Sequence, residues 1–190
     1  FDISVLNPLL GSNLGLKGAA TGNVMLTSPM HSRGLLADML CDSTYFAGEP
    51  LGTLRIGSTW NEDFERFDIS VFNDMAGKSN IKAVAKLTPE SRMIDARLTL
   101  DSLSITYAEP LLTDVFSEMN GYISGDIIAE GPLDMLEINS QGTRLDNAEL
   151  KVAFTNVPYF ADGLFHIDDT GVYFDDINIR DRYTGTGTVK

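Results

Sequence analysis

Three stretches of this 190-residue chain put an apolar side chain at every second position and a polar one between. In "IKAVAKL" the residues Ile81, Ala83, Ala85 and Leu87 share one parity, and Lys82 and Lys86 take the other. "FDISVF" sets Phe67, Ile69 and Val71 against Asp68 and Ser70, and "AELKVAF" sets Ala148, Leu150, Val152 and Phe154 against Glu149 and Lys151. Successive side chains of a strand point to opposite faces, so a period of two predicts strands with one apolar and one wet face. Such strands build an antiparallel sheet covered on one side only. The expected class is all-β.

Two segments change phase partway. Leu98 and Leu100 alternate, and so do Leu103, Ile105 and Tyr107, with Asp101–Ser102 between the two sets. Val172 and Phe174 are followed by Ile177 and Ile179 across Asp175–Asp176. A one-residue slip would send every later side chain to the wrong face unless the backbone absorbs it in a bulge or a corner. The sheet is therefore expected to bend. "AGEPLG" (Ala47–Gly52), "DMAGKSN" (Asp74–Asn80), "LTPES" (Leu87–Ser91) and "YTGTG" (Tyr183–Gly187) supply turns between strands.

The chain also repeats itself. "LKGAATGNVMLTSP" (16–29) returns as "MNGYISGDIIAEGP" (119–132), which pairs Gly18 with Gly121, Gly22 with Gly125 and Pro29 with Pro132. Just upstream, "NPLL" at Asn7 answers "EPLL" at Glu109. Repetition at fixed spacing marks a modular architecture. Two units are expected, 1–100 and 101–190, in one continuous repetitive domain. Each opens with a short amphipathic helix, near 7–17 and near 109–120. In the second, Pro110 suits the first helical position, Gly121 lies past the end, and Leu111, Leu112, Val115, Phe116 and Met119 form the stripe. Beginning at Phe1 and stopping at Lys190 in what reads as a strand, the chain is taken as an excerpt of a longer polypeptide.

Fourteen basic against 27 acidic residues leave a net charge of −13. This opposes nucleic acid, whose phosphates demand basic patches, and charge-driven docking on anionic membranes. No apolar run approaches the roughly 20 residues of a spanning helix. Cys41 has no partner for an internal disulfide and reads as a small buried hydrophobe. His31 and His166 stand apart without metal-ligand spacing, Asp168–Asp169 and Asp175–Asp176 lack a calcium-loop pattern, and no helix follows Gly185–Gly187 to seat a phosphate. Trp60, Phe64 and Phe67 could form a sugar platform, but packing is their ordinary use. No catalytic residue, metal or cofactor is expected.

The order "PLL…GYISGDIIAEGP…LDNAELKVAFTNVPYF…VYFDDINIRDRYTGTGTVK" resembles the C-terminal region of the TamB-type members of the AsmA-like group, in their Bacteroidetes form. The matching pieces are the segment with Pro110, the Gly121/Gly125 strand, the Pro132 turn, Asn147–Leu150, the Pro158–Tyr159 step and Asp181–Gly187. The resemblance implies a periplasmic chain anchored in the inner membrane and partnered by an outer-membrane barrel protein. It implies movement of phospholipid between the two membranes, support of outer-membrane protein assembly, and no catalytic residues. It also implies a repetitive, curled, U-shaped sheet with an apolar concave face.

Three readings follow. In the first, acyl chains cover the apolar face. Its lining is Phe67, Ile69, Val71, Ile81, Ala83, Ala85, Leu87, Leu98, Leu100, Leu103, Ile105, Ile127, Leu150, Val152, Phe154, Val172, Phe174, Ile177 and Ile179. In the second, a groove or sheet edge receives nascent outer-membrane strands by β-augmentation. In the third, a second layer closes a β-sandwich, as in an extracellular adhesin or a carbohydrate-binding module.

Overall fold

The computed structural model describes residues 2–7, 15–27, 34–181 and 185–189. They form a single antiparallel sheet in which every strand pairs with its neighbours in sequence, from β1 to β11. The order is η1 (Ile3–Leu6), β1 (Lys17–Thr27), β2 (Gly34–Phe46), β3 (Glu49–Asn61), β4 (Arg66–Asp74), β5 (Ile81–Thr88) and β6 (Met93–Ser104). Then come η2 (Ile105–Leu111), β7 (Phe116–Pro132), β8 (Glu137–Val152), β9 (Val157–Asp168), β10 (Gly171–Asp181) and β11 (Thr186–Val189), with both η segments 3-10 helices. The first and last strands do not pair, so the sheet is open, curled and all-β. A closed sandwich is not what these residues build. β6 runs through position 100 and pairs with both β5 and β7, so the sheet is continuous where the two units meet.

The bend has a local cause. One tetrad pattern, apolar–Asp–polar–small or apolar, recurs on four even-numbered strands. It occurs as Cys41-Asp42-Ser43-Thr44 on β2, Leu100-Asp101-Ser102-Leu103 on β6, Leu145-Asp146-Asn147-Ala148 on β8 and Phe174-Asp175-Asp176-Ile177 on β10. At each the register to one neighbouring strand shifts by one residue: to the following strand for β2, β6 and β8, and to the preceding strand for β10. Ser43, Ser102 and Asn147 take φ of 50°, 51° and 49°, the left-handed geometry of an absorbed extra residue. The flanking apolar residues thus stay on one face: Leu100 and Ile177 are buried, and Leu103 is half-buried. The two slips expected from alternation, at Asp101–Ser102 and Asp175–Asp176, are bulges.

β4 and β5 stop at this level instead of crossing it. Their connecting turn meets the β6 bulge, where Asp101 N–H donates to the Asn80 carbonyl at 2.9 Å. Asn73, buried at the end of β4, holds the turn. Its Oδ1 accepts from Asn80 N–H at 2.9 Å and Ile81 N–H at 2.8 Å, and its Nδ2 donates to the Leu51 carbonyl at 3.2 Å.

Two apolar clusters fill the corner. One gathers Ile3, Leu16, Ala20, Cys41, Leu51, Leu54 and Tyr107, and the other Ile105, Met119, Ala148, Ala161, Phe165 and Ile177. η2 bridges them, with Ile105 in one and Tyr107 in the other. The repeat has a shared bracket: Asn7 Oδ1 accepts from Leu16 N–H at 2.8 Å, and Glu109 Oε1 accepts from Met119 N–H at 2.6 Å. In each unit a side chain just after the 3-10 segment, or within it, ties down the entry to the glycine-containing strand.

The helix expected near 109–120 is not there. The 3-10 segment ends at Leu111, and β7 begins at Phe116. A 3-10 run is short by nature, and Phe116 and Met119 reach the second cluster from the strand instead, while Leu112 and Val115 are exposed. In the first unit η1 occupies Ile3–Leu6, and residues 8–14 of the helix expected near 7–17 lie outside the described residues. Pro29 and His31 also lie outside them, as do residues 183–184 of the Tyr183–Gly187 turn.

Gly163 marks the tightest crossing. Its φ is +145°, and a Cβ there would lie 2.0 Å from the Asp176 carbonyl oxygen. Gly163→Ala is expected to lower the unfolding free energy by about 2–4 kcal/mol, since backbone on both sides must shift. Gly187→Ala on β11, where a Cβ meets nothing within 4 Å, should change it by less than about 0.5 kcal/mol. Urea unfolding of the two variants measures the difference.

Candidate functional site

Strand register aligns the apolar parity of β3 to β7 into three lines across the sheet. Nearest the corner run Ile56, Val71, Ala83, Leu98 and Ile127; next come Ser58, Ile69, Ala85, Ala96, Ala129 and Ile138 of β8; outermost are Trp60, Phe67, Leu87 and Ile94. Most are half-buried. At the centre, where alanines replace bulky residues, lies a cavity of about 220 Å³ lined chiefly by Ile69, Val71, Ala83, Ala85, Ala96, Leu98, Ile127 and Ala129. The wall spans roughly 13 Å along the strands and about 20 Å across them, from standard strand rise and spacing, a footprint of about 250 Å².

The opposite face is wet. Lys86 pairs with Asp95 at 3.2 Å, Arg97 with Asp126 at 3.1 Å, and Thr99 Oγ1 donates to Asp126 at 2.6 Å. Exposed pairs of this kind contribute about 0–1 kcal/mol each. Their clearer effect is to fix which face is the solvated one.

The structure divides the expected lining residues into groups. Phe67, Ile69, Val71, Ala83, Ala85, Leu87, Leu98 and Ile127 stand together on the open wall. Ile81 and Leu100 sit at its foot, where Leu100 is buried. Ile105 and Ile177 are buried in the second cluster, with Leu150 and Ile179 packed against it, while Leu103 packs against the first. Protein already covers these corner residues. Val152 closes β8 at half burial. Val172 and Phe174 stand 55% and 45% exposed on β10. Phe154 departs from the alternation extended to it: β8 ends at Val152, and Phe154 lies in the turn to β9, 97% exposed.

Ile56, Trp60, Ile94, Ala96 and Ala129 belong to the wall and were not among the expected lining. For Ile94 and Ala96 the signal was present, because the parity of Leu98 and Leu100 extends back to them. Ile56 and Trp60 share a parity interrupted by Ser58, and only pairing with β4 reveals their place. Trp60 packs edge-on against Phe67, 4.8 Å between centroids at 66°, and Phe64 lies exposed beneath the Arg66 guanidinium at 4.6 Å. His166 stacks on Tyr173 and meets Asp175 through Nδ1 at 2.8 Å.

Asp168 Oδ1 accepts from Thr170 N–H, Thr170 Oγ1 and Gly171 N–H, bonds that hold its carboxyl below the usual range. It closes a turn. Cys41 is fully buried at the corner, and burial pushes its thiol up. Among the described residues no group of three His, Cys, Asp or Glu side chains could hold a metal ion, and no helix is long and apolar enough to cross a membrane. No family model, curated protein or solved structure matches the chain.

The corner beneath the wall depends on η2. Tyr107, 9% exposed, donates its hydroxyl to the Pro50 carbonyl at 2.6 Å. Burial first, and the charge of Glu49 second, raise its phenol above the ordinary value of 10.0. A proton held more tightly in the folded state stabilises fully below pH 10, and that contribution falls as pH rises above it. Tyr107→Phe should cost about 0.5–1.5 kcal/mol at pH 7, and the gap to wild type should narrow above pH 10. Chemical unfolding at both pH values tests this. The buried Thr143 hydroxyl, by contrast, has no hydrogen-bond partner. Thr143→Val is expected to match wild type or exceed it by up to about 1 kcal/mol in the same measurement.

Proposed function

We propose that this chain is an acyl-chain-binding trough, a passive segment of a path that carries phospholipid, with the β3–β7 wall as its binding surface. One observation carries the reading. The apolar parity of five consecutive strands faces a space that no second sheet of the described residues fills. Removing such apolar surface from water is favourable. Each methylene of a guest chain buried there contributes about 0.8 kcal/mol. Alanines at the centre leave room for a chain, while the polar outer face keeps the sheet dispersed. On the resemblance described above, the path runs through the periplasm between inner and outer membranes. The parent chain would then be anchored in the inner membrane and partnered by an outer-membrane barrel protein.

The wall offers side-chain surface and a void but no array of polar groups, so binding is expected to follow chain length and not head-group chemistry alone. A route through strand addition at β1 or β11 would use main-chain groups at the sheet edges and leave the wall unused.

Purified chain extracted into organic solvent and analysed by mass spectrometry should yield phospholipid. Ala85→Phe puts a ring into the cavity. It is expected to displace several methylenes, at about 0.8 kcal/mol each, and to lower bound lipid at least tenfold. Lys82→Gln, on the outer face, should retain the wild-type amount. A lipid-free extract, or equal lipid in wild type and Ala85→Phe, would refute the reading.

A further inference from the structure

The two units of the repeat enter their glycine-containing strands alike. Ser104 ends β6 and caps η2, its side chain accepting from Thr106 N–H at 3.3 Å. Asp2 caps η1 in the same way, accepting from Ser4 N–H at 2.9 Å. Ile3 and Ile105 follow the two caps, and both are buried. Ser104 pairs with Tyr122 at one end of the β6–β7 ladder, and the isolated bridge between Asp2 and Ala19 holds the equivalent place on β1.

There the likeness stops. From Tyr122 to Pro132 the edge of β7 is paired with β6. From Ala20 to Thr27 no strand of the described residues runs along the corresponding edge of β1. A cavity of about 640 Å³ lies at its start, walled by Asp2 and Ser4 on one side and Lys17–Thr21 on the other. Thr21 is the equivalent of Ser124, whose Oγ accepts the N–H of the bulged Ser102 of β6 at 3.0 Å. The exposed Thr21 hydroxyl donates to the Leu40 carbonyl at 3.3 Å, and its oxygen can still accept.

We infer that this edge of β1 is a strand-docking site, and that its occupant is an antiparallel strand of the β6 kind. The occupant runs into Asp2 as β6 runs into Ser104, with its bulged N–H on the Thr21 hydroxyl. An edge offers a row of main-chain donors and acceptors, and an added strand satisfies them. Side chains set the register, because a slip of one residue turns the whole apolar set to the wrong face. A second copy fits poorly. Every pair in the sheet is antiparallel, so β11 runs in the direction of β1, and a copy continuing the same curl would offer a parallel strand. Docking here leaves the wall untouched.

The test copies Met93–Ser102, "MIDARLTLDS", directly in front of Phe1 of the whole chain, so that Phe1 takes the place of Leu103 and Asp2 that of Ser104. Amide hydrogen exchange is then compared with and without the extension. Exchange over Thr21–Thr27 should slow by about tenfold or more, as expected for main-chain hydrogen bonds gained, with β11 unchanged. An extension lacking its final serine should give less than about a third of that slowing, since the copied alternation then faces the wrong way. Thr21→Val should reduce the gain by about threefold, and Thr21→Ser should restore it. No slowing over Thr21–Thr27, or equal slowing with the shortened extension, overturns the docking site. Protection of this edge in the unextended chain that grows with protein concentration assigns it to a second copy and overturns the inference as well.

Discussion

A strand that turns a corner must surrender one residue of register or expose its apolar face, and the architecture follows from how this chain meets that demand. Four bulges of similar composition lie on β2, β6, β8 and β10, each placing a polar pair where the backbone doubles. The aspartate and its small polar neighbour tolerate the left-handed geometry and solvation that a bulged residue needs. The bulges hold the apolar residues on both sides to one face. Without them the two clusters could not gather residues from both arms of the bent sheet.

The corner and the wall divide the apolar residues between two tasks. In the corner, the 3-10 segments and the side chains of both arms shut out water, and Cys41, Ala148 and Ile177 are almost wholly buried. Farther out the second arm is missing where β4 and β5 end at the corner, and there the wall is half-buried with a cavity at its centre. Stability and opening thus reside in different stretches of the same strands. A substitution can alter one and spare the other.

Alternation made the strands and their inner parity legible, because a period of two leaves a strand little choice of face. The slips at Asp101–Ser102 and Asp175–Asp176 made the bend legible too. Two equivalent slips escaped notice, since Thr44 and Ala148 are small and blur the change of phase. The helix expected over 109–120 failed for a tertiary reason: a helical stripe at Leu112, Val115, Phe116 and Met119 serves a bulged strand equally well once the second cluster claims Phe116 and Met119. Phe154 failed because alternation continued past the end of its strand. On the wall, Ile56 and Trp60 lay hidden because pairing partners, which a single strand does not encode, decide which residues share a line.

Because each strand bonds only to the one before and the one after, no part of the sheet waits on a distant segment to complete it. Such a meander confines its backbone pairing to strands adjacent in sequence. It also lets order spread from any hairpin to the next, as in stacked-repeat proteins, whose stability is roughly a sum of nearest-neighbour terms. Inserting or deleting a pair of strands would lengthen or shorten such a molecule while leaving its handedness and connectivity untouched. Changes in strand number are thus a simple route to changes in the length of such a sheet.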